Sequence, residues 1–231
     1  MKPLPARGLS LVAVALALLL AGCSSGPKGE QVSFATEDRV QLSGHVFGTG
    51  DVGVVLSHMR PADQRSWWPF AEVLANRGYR ALAFDFRGYG DSQGQKQMEY
   101  LDVDVQAALH FLQGQGVPRV FLVGASMGGT ASVKVAARED VAGIVTLSAP
   151  AQTSDGLNVE LDVAEVAAPK LFIVARDDEY YAGSVDLFMQ ESQEPKEAQR
   201  VEGRAHGTDL LGGNTGDRVQ GLILDFLQRH Q

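Results

Sequence analysis

Short runs that are almost entirely apolar alternate along this chain with segments in which apolar residues recur every three or four positions. The short runs are typical of buried strands, whereas the longer period is typical of amphipathic helices. The predicted strands cover residues 32–36, 40–47, 52–57, 79–86, 120–123, 141–147 and 171–174, with a further strand at Val201. The first predicted helix begins at Ser66, which caps it. Further predicted helices lie around residues 101–112, directly after residue 126, and around residues 219–227.

The alternation of strands and helices predicts an α/β fold. Near-continuous apolar strands are typical of a mostly parallel sheet that helices cover on both faces. The first two strands are the exception, because they form a predicted hairpin that turns at Glu37 and Asp38. In such sheets ligands bind beyond the carboxyl ends of the strands. The residues just after each strand are therefore the candidates for chemistry.

Residues 1–22 have a different pattern. Lys2 and Arg7 precede an apolar run over residues 9–21, which is too short to span a bilayer comfortably and predicts a secretory signal. Without this segment, 18 basic and 28 acidic residues remain, a formal net charge of −10. A surface this acidic argues against nucleic-acid binding and against electrostatic docking to anionic lipid.

The segment ends in Leu20-Ala21-Gly22-Cys23, and Cys23 is the only cysteine of the chain. This sequence resembles the lipobox of bacterial lipoproteins. The resemblance implies acylation of Cys23 and attachment to the cell envelope, and Ser24 in the next position implies the outer membrane. Residues 23–30 are then a lipidated flexible tether. A plain signal peptide with an incidental cysteine is the alternative.

Near the middle of the chain stands Gly124-Ala125-Ser126-Met127-Gly128, between a predicted strand and a predicted helix. Strand, tight turn with a central serine, and helix is the context in which Gly-x-Ser-x-Gly presents a catalytic serine. Glycines are needed where strand and helix nearly touch. Capping of the following helix is the alternative role of Ser126.

A serine nucleophile needs a base that takes its proton and a third group that orients the base. His206 follows the last predicted strand, and the acidic pair Asp177 and Asp178 follows the strand before it. The order serine, acid, histidine is that of the α/β-hydrolase triad. We therefore predict that Ser126, Asp178 and His206 are the catalytic residues.

With these segments, residues 31–231 resemble a small α/β-hydrolase of the dienelactone-hydrolase-like or serine aminopeptidase-like type. Residues 84–92, Phe-Asp-Phe-Arg-Gly-Tyr-Gly-Asp-Ser, are similar to the Asp-x-Arg-Gly-x-Gly-x-Ser loop of that family. The family's Gly-x-x-Asp pattern has Ala175 in its glycine position here, and this favours Asp178 over Asp177. The resemblance implies hydrolysis of an ester, thioester or amide through an acyl-serine, without a metal or an organic cofactor.

The oxyanion of the tetrahedral intermediate needs preorganised donors. The backbone N–H of Met127, directly after the nucleophile, is the first expected donor. The second comes from the loop after residues 52–57, where the family has His-Gly-x and this chain has His58-Met59-Arg60. We expect the N–H of Met59 to serve, with that of Arg60 as the alternative.

About 20 residues separate Pro150 from Lys170, which leaves room for one short helix around 163–167 and predicts minimal or no lid. An open, shallow site favours small or extended esters over long-chain lipids. The sequence thus predicts a lipid-anchored serine esterase that acts on a small-molecule ester. A peptidase or thioesterase of the same fold, or a catalytically silent envelope lipoprotein that acts as a binding module, are the alternatives.

Overall fold

An eight-stranded sheet forms the centre of the protein in the computed structural model, which describes residues 29–231. The predicted signal segment, Cys23 and nearly all of the tether lie outside the described residues. The strands are β1 (Glu30–Ala35), β2 (Gln41–Phe47), β3 (Val52–Ser57), β4 (Arg80–Phe84), β5 (Arg119–Ala125), β6 (Gly143–Leu147), β7 (Lys170–Ala175) and β8 (Lys196–Val201).

The strand order is β1-β2-β4-β3-β5-β6-β7-β8. β1 and β2 form the predicted antiparallel hairpin, and β2 also pairs with β4 in the antiparallel sense. The other neighbours are parallel. Because parallel strands end at the same edge, the loops after β3, β5, β6, β7 and β8 converge there.

Helices cover both faces of this sheet, as the sequence predicts. They are α1 (Trp68–Asn76), α2 (Leu101–Gly114), α3 (Met127–Ala136), α4 (Asp162–Glu165), α5 (Glu179–Glu191) and α6 (Gly216–His230). α1 and α6 bury apolar residues such as Phe70 and Phe226 against one face. α2, α3 and α5 pack against the other face, where Leu109 and Phe188 are buried. Within residues 29–231, no helix combines the length and apolar character needed to cross a membrane.

Each central strand contributes to both cores. On β3, Val54 and Leu56 pack with α1 and α6, whereas Val55 packs with α2 and α3. All three side chains are fully buried. Alternation of side chains between two covered faces explains why the strand is apolar at every position.

Two features of the structure differ from the sequence prediction. Ser66 does not cap a helix, so that prediction is wrong: Asp63 accepts the Arg65 N–H at 2.8 Å and starts a 3₁₀ turn, Gln64–Trp67, that runs into α1. The Ser66 hydroxyl instead donates to the Asp63 carbonyl oxygen. The helix α5 is absent from the prediction because only Val185 and Phe188 are buried along it, which is too few for a helical period.

The connection between β6 and β7 contains an isolated bridge from Gln152 to Asn158 and the four-residue α4. This matches the predicted room for one short helix and minimal or no lid. In this connection, the bridge and α4 are the regular structure that the chain places near the carboxyl end of the sheet.

Candidate active site

The turn between β5 and α3 presents Ser126 in a strained conformation. Its backbone has φ 49° and ψ −120°, a region that non-glycine residues rarely adopt and that recurs at functional sites. Its N–H donates to the Leu147 carbonyl oxygen of β6 at 2.8 Å. A Cβ at Gly128 would lie 2.7 Å from the His58 carbonyl oxygen. The glycines of the motif thus allow the close approach that holds this turn.

His206 and Asp178 come together at the carboxyl ends of β8 and β7. The His206 Nδ1 atom lies 2.9 Å from the Asp178 Oδ2 atom, and the two side chains are 26% and 11% exposed. Since an ionised carboxylate can only accept, the Nδ1 atom carries the hydrogen in this pair, which leaves Nε2 free to take a proton. Asp177, the alternative acid, is exposed and pairs only through its backbone N–H with Gly203.

Tyr181, in the first turn of α5, lies against this pair. Its ring centroid is 4.1 Å from that of His206. Burial raises the pKa of the Tyr181 phenol and the Asp178 charge adds to the increase, while the nearby Ser126 hydroxyl opposes it. Tyr181 and Ser126 also line the same cleft, so Tyr181 lies near the nucleophile as well as the histidine. In the described chain, the hydrogen bond of the His206 ring goes to Asp178 and none joins it to Ser126.

Tyr181 is not among the residues predicted from the sequence, although one signal was present. The aromatic pair Tyr180 and Tyr181 directly follows a strand end and the candidate acid. Without α5 in the prediction, nothing indicated that this pair turns back over the site.

Two backbone segments can supply oxyanion donors. Met127 begins α3, so its N–H has no acceptor within the helix and lies at the positive end of the helix dipole. Within residues 29–231, neither Met59 nor Arg60 donates its backbone N–H to a protein acceptor. Met59 is 8% exposed as a residue and packs in the core formed with α1 and α6. The neighbouring His58 carbonyl oxygen approaches Gly128 closely, so this loop lies next to the turn that carries Ser126.

His58 holds this loop in place and is not a candidate base. It is fully buried, its Nε2 atom accepts the Phe86 N–H at 3.2 Å, and its Nδ1 atom lies 2.9 Å from the Met59 carbonyl oxygen. Only the neutral tautomer with hydrogen on Nδ1 satisfies both bonds. Burial lowers the pKa of His58, which favours this neutral form.

A small cleft of about 250 Å³ opens beside the nucleophile. Its walls come from the loops after β3, β5 and β6 and from the start of α5: Arg60, Ser126, Met127, Pro150, Gln152, Thr153, Ser154, Tyr180 and Tyr181. The Arg60 guanidinium pairs at 2.6 Å with the carboxylate of Asp155, which is not one of these lining residues. In the part of the chain that the structure describes, no group of three or more His, Cys, Asp or Glu side chains could hold a metal ion.

Comparison with known proteins agrees with the fold. Residues 54–205 match the family model of the alpha/beta hydrolase fold. An uncharacterized protein of Mycobacterium tuberculosis is 27% identical over 229 residues, which cover 88% of this chain and 79% of the relative.

Solved structures share the fold at lower identity. An esterase of Pyrococcus furiosus is 20% identical with a TM-score of 0.77, and the match covers 88% of this chain and 93% of that one. A monoacylglycerol lipase of Paleococcus ferrophilus is 17% identical with a TM-score of 0.71, covering 82% of this chain and 99% of that one.

Proposed function

The chain belongs to the α/β-hydrolase family, and on this premise we propose that it is a serine hydrolase that cleaves carboxylic esters through an acyl-serine. One observation carries the proposal: the hydrogen-bonded Asp178–His206 pair, 2.9 Å long, lies at the same sheet edge as the strained turn that presents Ser126. A serine nucleophile requires a histidine base that a neighbouring acid holds in the correct orientation.

In the proposed mechanism the Ser126 Oγ atom attacks the ester carbonyl carbon while His206 Nε2 takes its proton. The Asp178 carboxylate holds the Nδ1–H and stabilises the imidazolium. His206 then returns the proton to the departing alcohol, and the same groups activate water to cleave the acyl-serine. The hydrogen bond from Ser126 to His206 is expected to form when substrate shifts the Tyr181 ring, because resting sites often have looser geometry than complexes.

The N–H groups of Met127 and Met59 are proposed to bind the oxyanion. The first stands at the N-terminus of α3, where the helix dipole favours negative charge. The second is positioned through its own carbonyl group, which His58 holds by a hydrogen bond of 2.9 Å. Arg60 remains the alternative second donor. Removing one such donor typically costs about 10²–10³-fold in rate.

The cleft supports short or extended esters as the substrates. Its volume of about 250 Å³ is small, and the connection between β6 and β7 provides only α4 near it. The names of two structural neighbours, an esterase and a lipase, are consistent with ester chemistry. Matched ester, thioester and aminopeptide substrates will distinguish an esterase from a peptidase or thioesterase.

Labelling with a fluorophosphonate probe tests the nucleophile. The wild-type protein is expected to be labelled and Ser126→Ala is not. Ser148→Ala is a matched control, because Ser148 also has a positive φ, of 50°, and follows the neighbouring strand, but it is fully buried. Labelling that persists in Ser126→Ala would refute the assignment, and a folded wild type without labelling would favour a silent binding module.

The acid is tested in the same series. Asp178→Asn is expected to lower kcat by about 10³–10⁴-fold, since an amide would orient the wrong tautomer of His206. The neighbouring Asp177→Asn removes the same charge from an exposed side chain and is expected to change kcat less than about twofold. Equal losses in the two variants would contradict the proposed triad.

A further inference from the structure

We propose that Arg60 makes the enzyme prefer esters that carry an anionic group, a carboxylate or a phosphate-like group, a few bonds from the scissile carbonyl. This inference rests on the proposed function. It concerns the guanidinium of Arg60, which is a separate question from whether the Arg60 backbone donates to the oxyanion.

The sheet order places Arg60 and Asp155 on opposite sides of the nucleophile. Arg60 follows β3 and Asp155 follows β6, and β5, which carries Ser126 at its end, lies between these two strands. The two outer strands are therefore two strand spacings apart, on the order of 10 Å. The ion pair of 2.6 Å thus joins the loops that follow β3 and β6, the two strands on either side of β5.

Arg60 is also the single formal charge among the residues that line the cleft. The remaining walls are neutral, with hydroxyl and amide groups from Gln152, Thr153, Ser154 and the two tyrosines. The whole chain has a net charge of −8, which disfavours the approach of an anion. Among the residues that line the cleft, only this guanidinium can therefore attract an anionic substrate by its charge.

The present partner of Arg60 can be displaced at little cost. The Arg60 and Asp155 side chains are 48% and 37% exposed, and solvent screens such a pair so that it contributes little net stability. The anionic group of a substrate would take the place of the Asp155 carboxylate on the Arg60 guanidinium. A guanidinium matches the geometry of both carboxylate and phosphate groups. Asp155 then acts as an internal competitor for the same position.

The test uses three esters with one leaving group: 4-nitrophenyl hexanoate, 4-nitrophenyl hydrogen adipate and 4-nitrophenyl 5-phosphonopentanoate. The readout is the ratio of kcat/KM for each anionic ester to that for the neutral hexanoate. The ratio cancels changes in the acylation machinery, and the two anionic arms distinguish a carboxylate from a phosphate-like group. Wild-type ratios above one are expected for at least one anionic ester.

Asp155→Asn is expected to raise that ratio by about threefold to fivefold, because it frees Arg60 from its competitor. Arg60→Gln is expected to lower the ratio by a similar factor, and the double variant should behave like Arg60→Gln because Asp155 acts through Arg60. Asp225→Asn, which removes the same charge from a surface pair with Arg229 on α6, is the control and should leave the ratio unchanged.

A ratio that stays within about twofold of wild type in both Asp155→Asn and Arg60→Gln, with the neutral ester still hydrolysed, overturns this inference and leaves the proposed function standing. A folded wild type that hydrolyses none of the three esters overturns both. Since hydrolysis of the hexanoate reports folding of each variant, Asp155→Asn alone decides the matter if Arg60→Gln does not fold.

Discussion

Replacing His58 with glutamine is expected to reduce the loss of stability that acid causes below about pH 6.5. The His58 imidazole is fully buried, and its two ring nitrogens bond to the Met59 carbonyl oxygen and the Phe86 N–H. Protonation would remove the acceptor of the Phe86 N–H and place a charge in the core. Glutamine is neutral at every pH, and its carbonyl oxygen can accept the Phe86 bond.

The direction in which stability changes with pH follows from the direction of the pKa change of His58. Burial lowers the pKa of His58 below its ordinary value of 6.5, and the hydrogen bond to Met59 and the charges of Asp85 and Asp63 offset this only in part. Below pH 6.5 the unfolded chain binds a proton that the folded protein does not, so unfolding becomes more favourable as the pH falls. Above pH 6.5 both states are neutral and the stability contribution is fully present.

The size of the effect has a clear upper limit. If folded His58 stays neutral, the loss is about 1.4 kcal/mol at pH 5.5 and about 2 kcal/mol at pH 5. Urea denaturation at several pH values between 7.5 and 5 gives the free energy of unfolding of the wild type and of His58→Gln. The loss due to His58 is the amount by which the difference between these two free energies changes over this pH range. The advantage of the wild type at pH 7.5 is expected to shrink by about 1–2 kcal/mol.

A matched variant separates the buried group from histidine loss in general. His110→Gln removes an imidazole that is 54% exposed on α2. If the wild-type and His58→Gln stability curves run parallel across this pH range, His58 accepts a proton as readily in the folded state as in the unfolded one. That result would refute the role of the neutral His58 tautomer in holding the loop that carries Met59.

Two further predictions follow from local geometry and from the sequence. Gly128→Ala is expected to destabilise the protein by about 1–3 kcal/mol in urea denaturation, because its Cβ would lie 2.7 Å from the His58 carbonyl oxygen. Gly183→Ala, in α5 with open space around its Cβ, should stabilise it by about 0.5–1 kcal/mol; losses of equal size in both would contradict the steric argument. For Cys23, we propose lipidation: labelled palmitate is expected to enter the wild type in bacterial cells and not Cys23→Ala, and equal incorporation would contradict it.

The central strands of the fold could be predicted because their burial is visible in a short stretch of sequence. β3 and β5 are buried on both faces, so their apolar runs are continuous and their ends are clear in the sequence. β8 lies at the edge of the sheet, and along it only Val201 is fully buried. Its sequence, Lys-Glu-Ala-Gln-Arg-Val, therefore has no strand pattern beyond the single apolar residue that the prediction found.

Some residues of the candidate site could likewise be predicted from the sequence and others could not. The positions of Ser126, Asp178 and His206 after strand ends could be predicted, since a parallel sheet brings these ends together. The Arg60–Asp155 pair could not, because its partners are 95 residues apart and meet only through the order of the strands. Tyr181 was missed for a related reason, since its contact with His206 depends on the direction in which α5 leaves β7.

The methionine at position 59, where the family pattern has glycine, packs against the loop that carries His206. Gly207 directly follows His206 and has φ 56°. A Cβ at this position would collide with the Met59 Sδ atom and lie 3.4 Å from the Ala125 Cβ atom. The Met59 side chain thus fills space that a larger residue 207 would occupy. We infer that the two loops are packed as one unit, so the proposed oxyanion donor and the proposed base depend on the same contact.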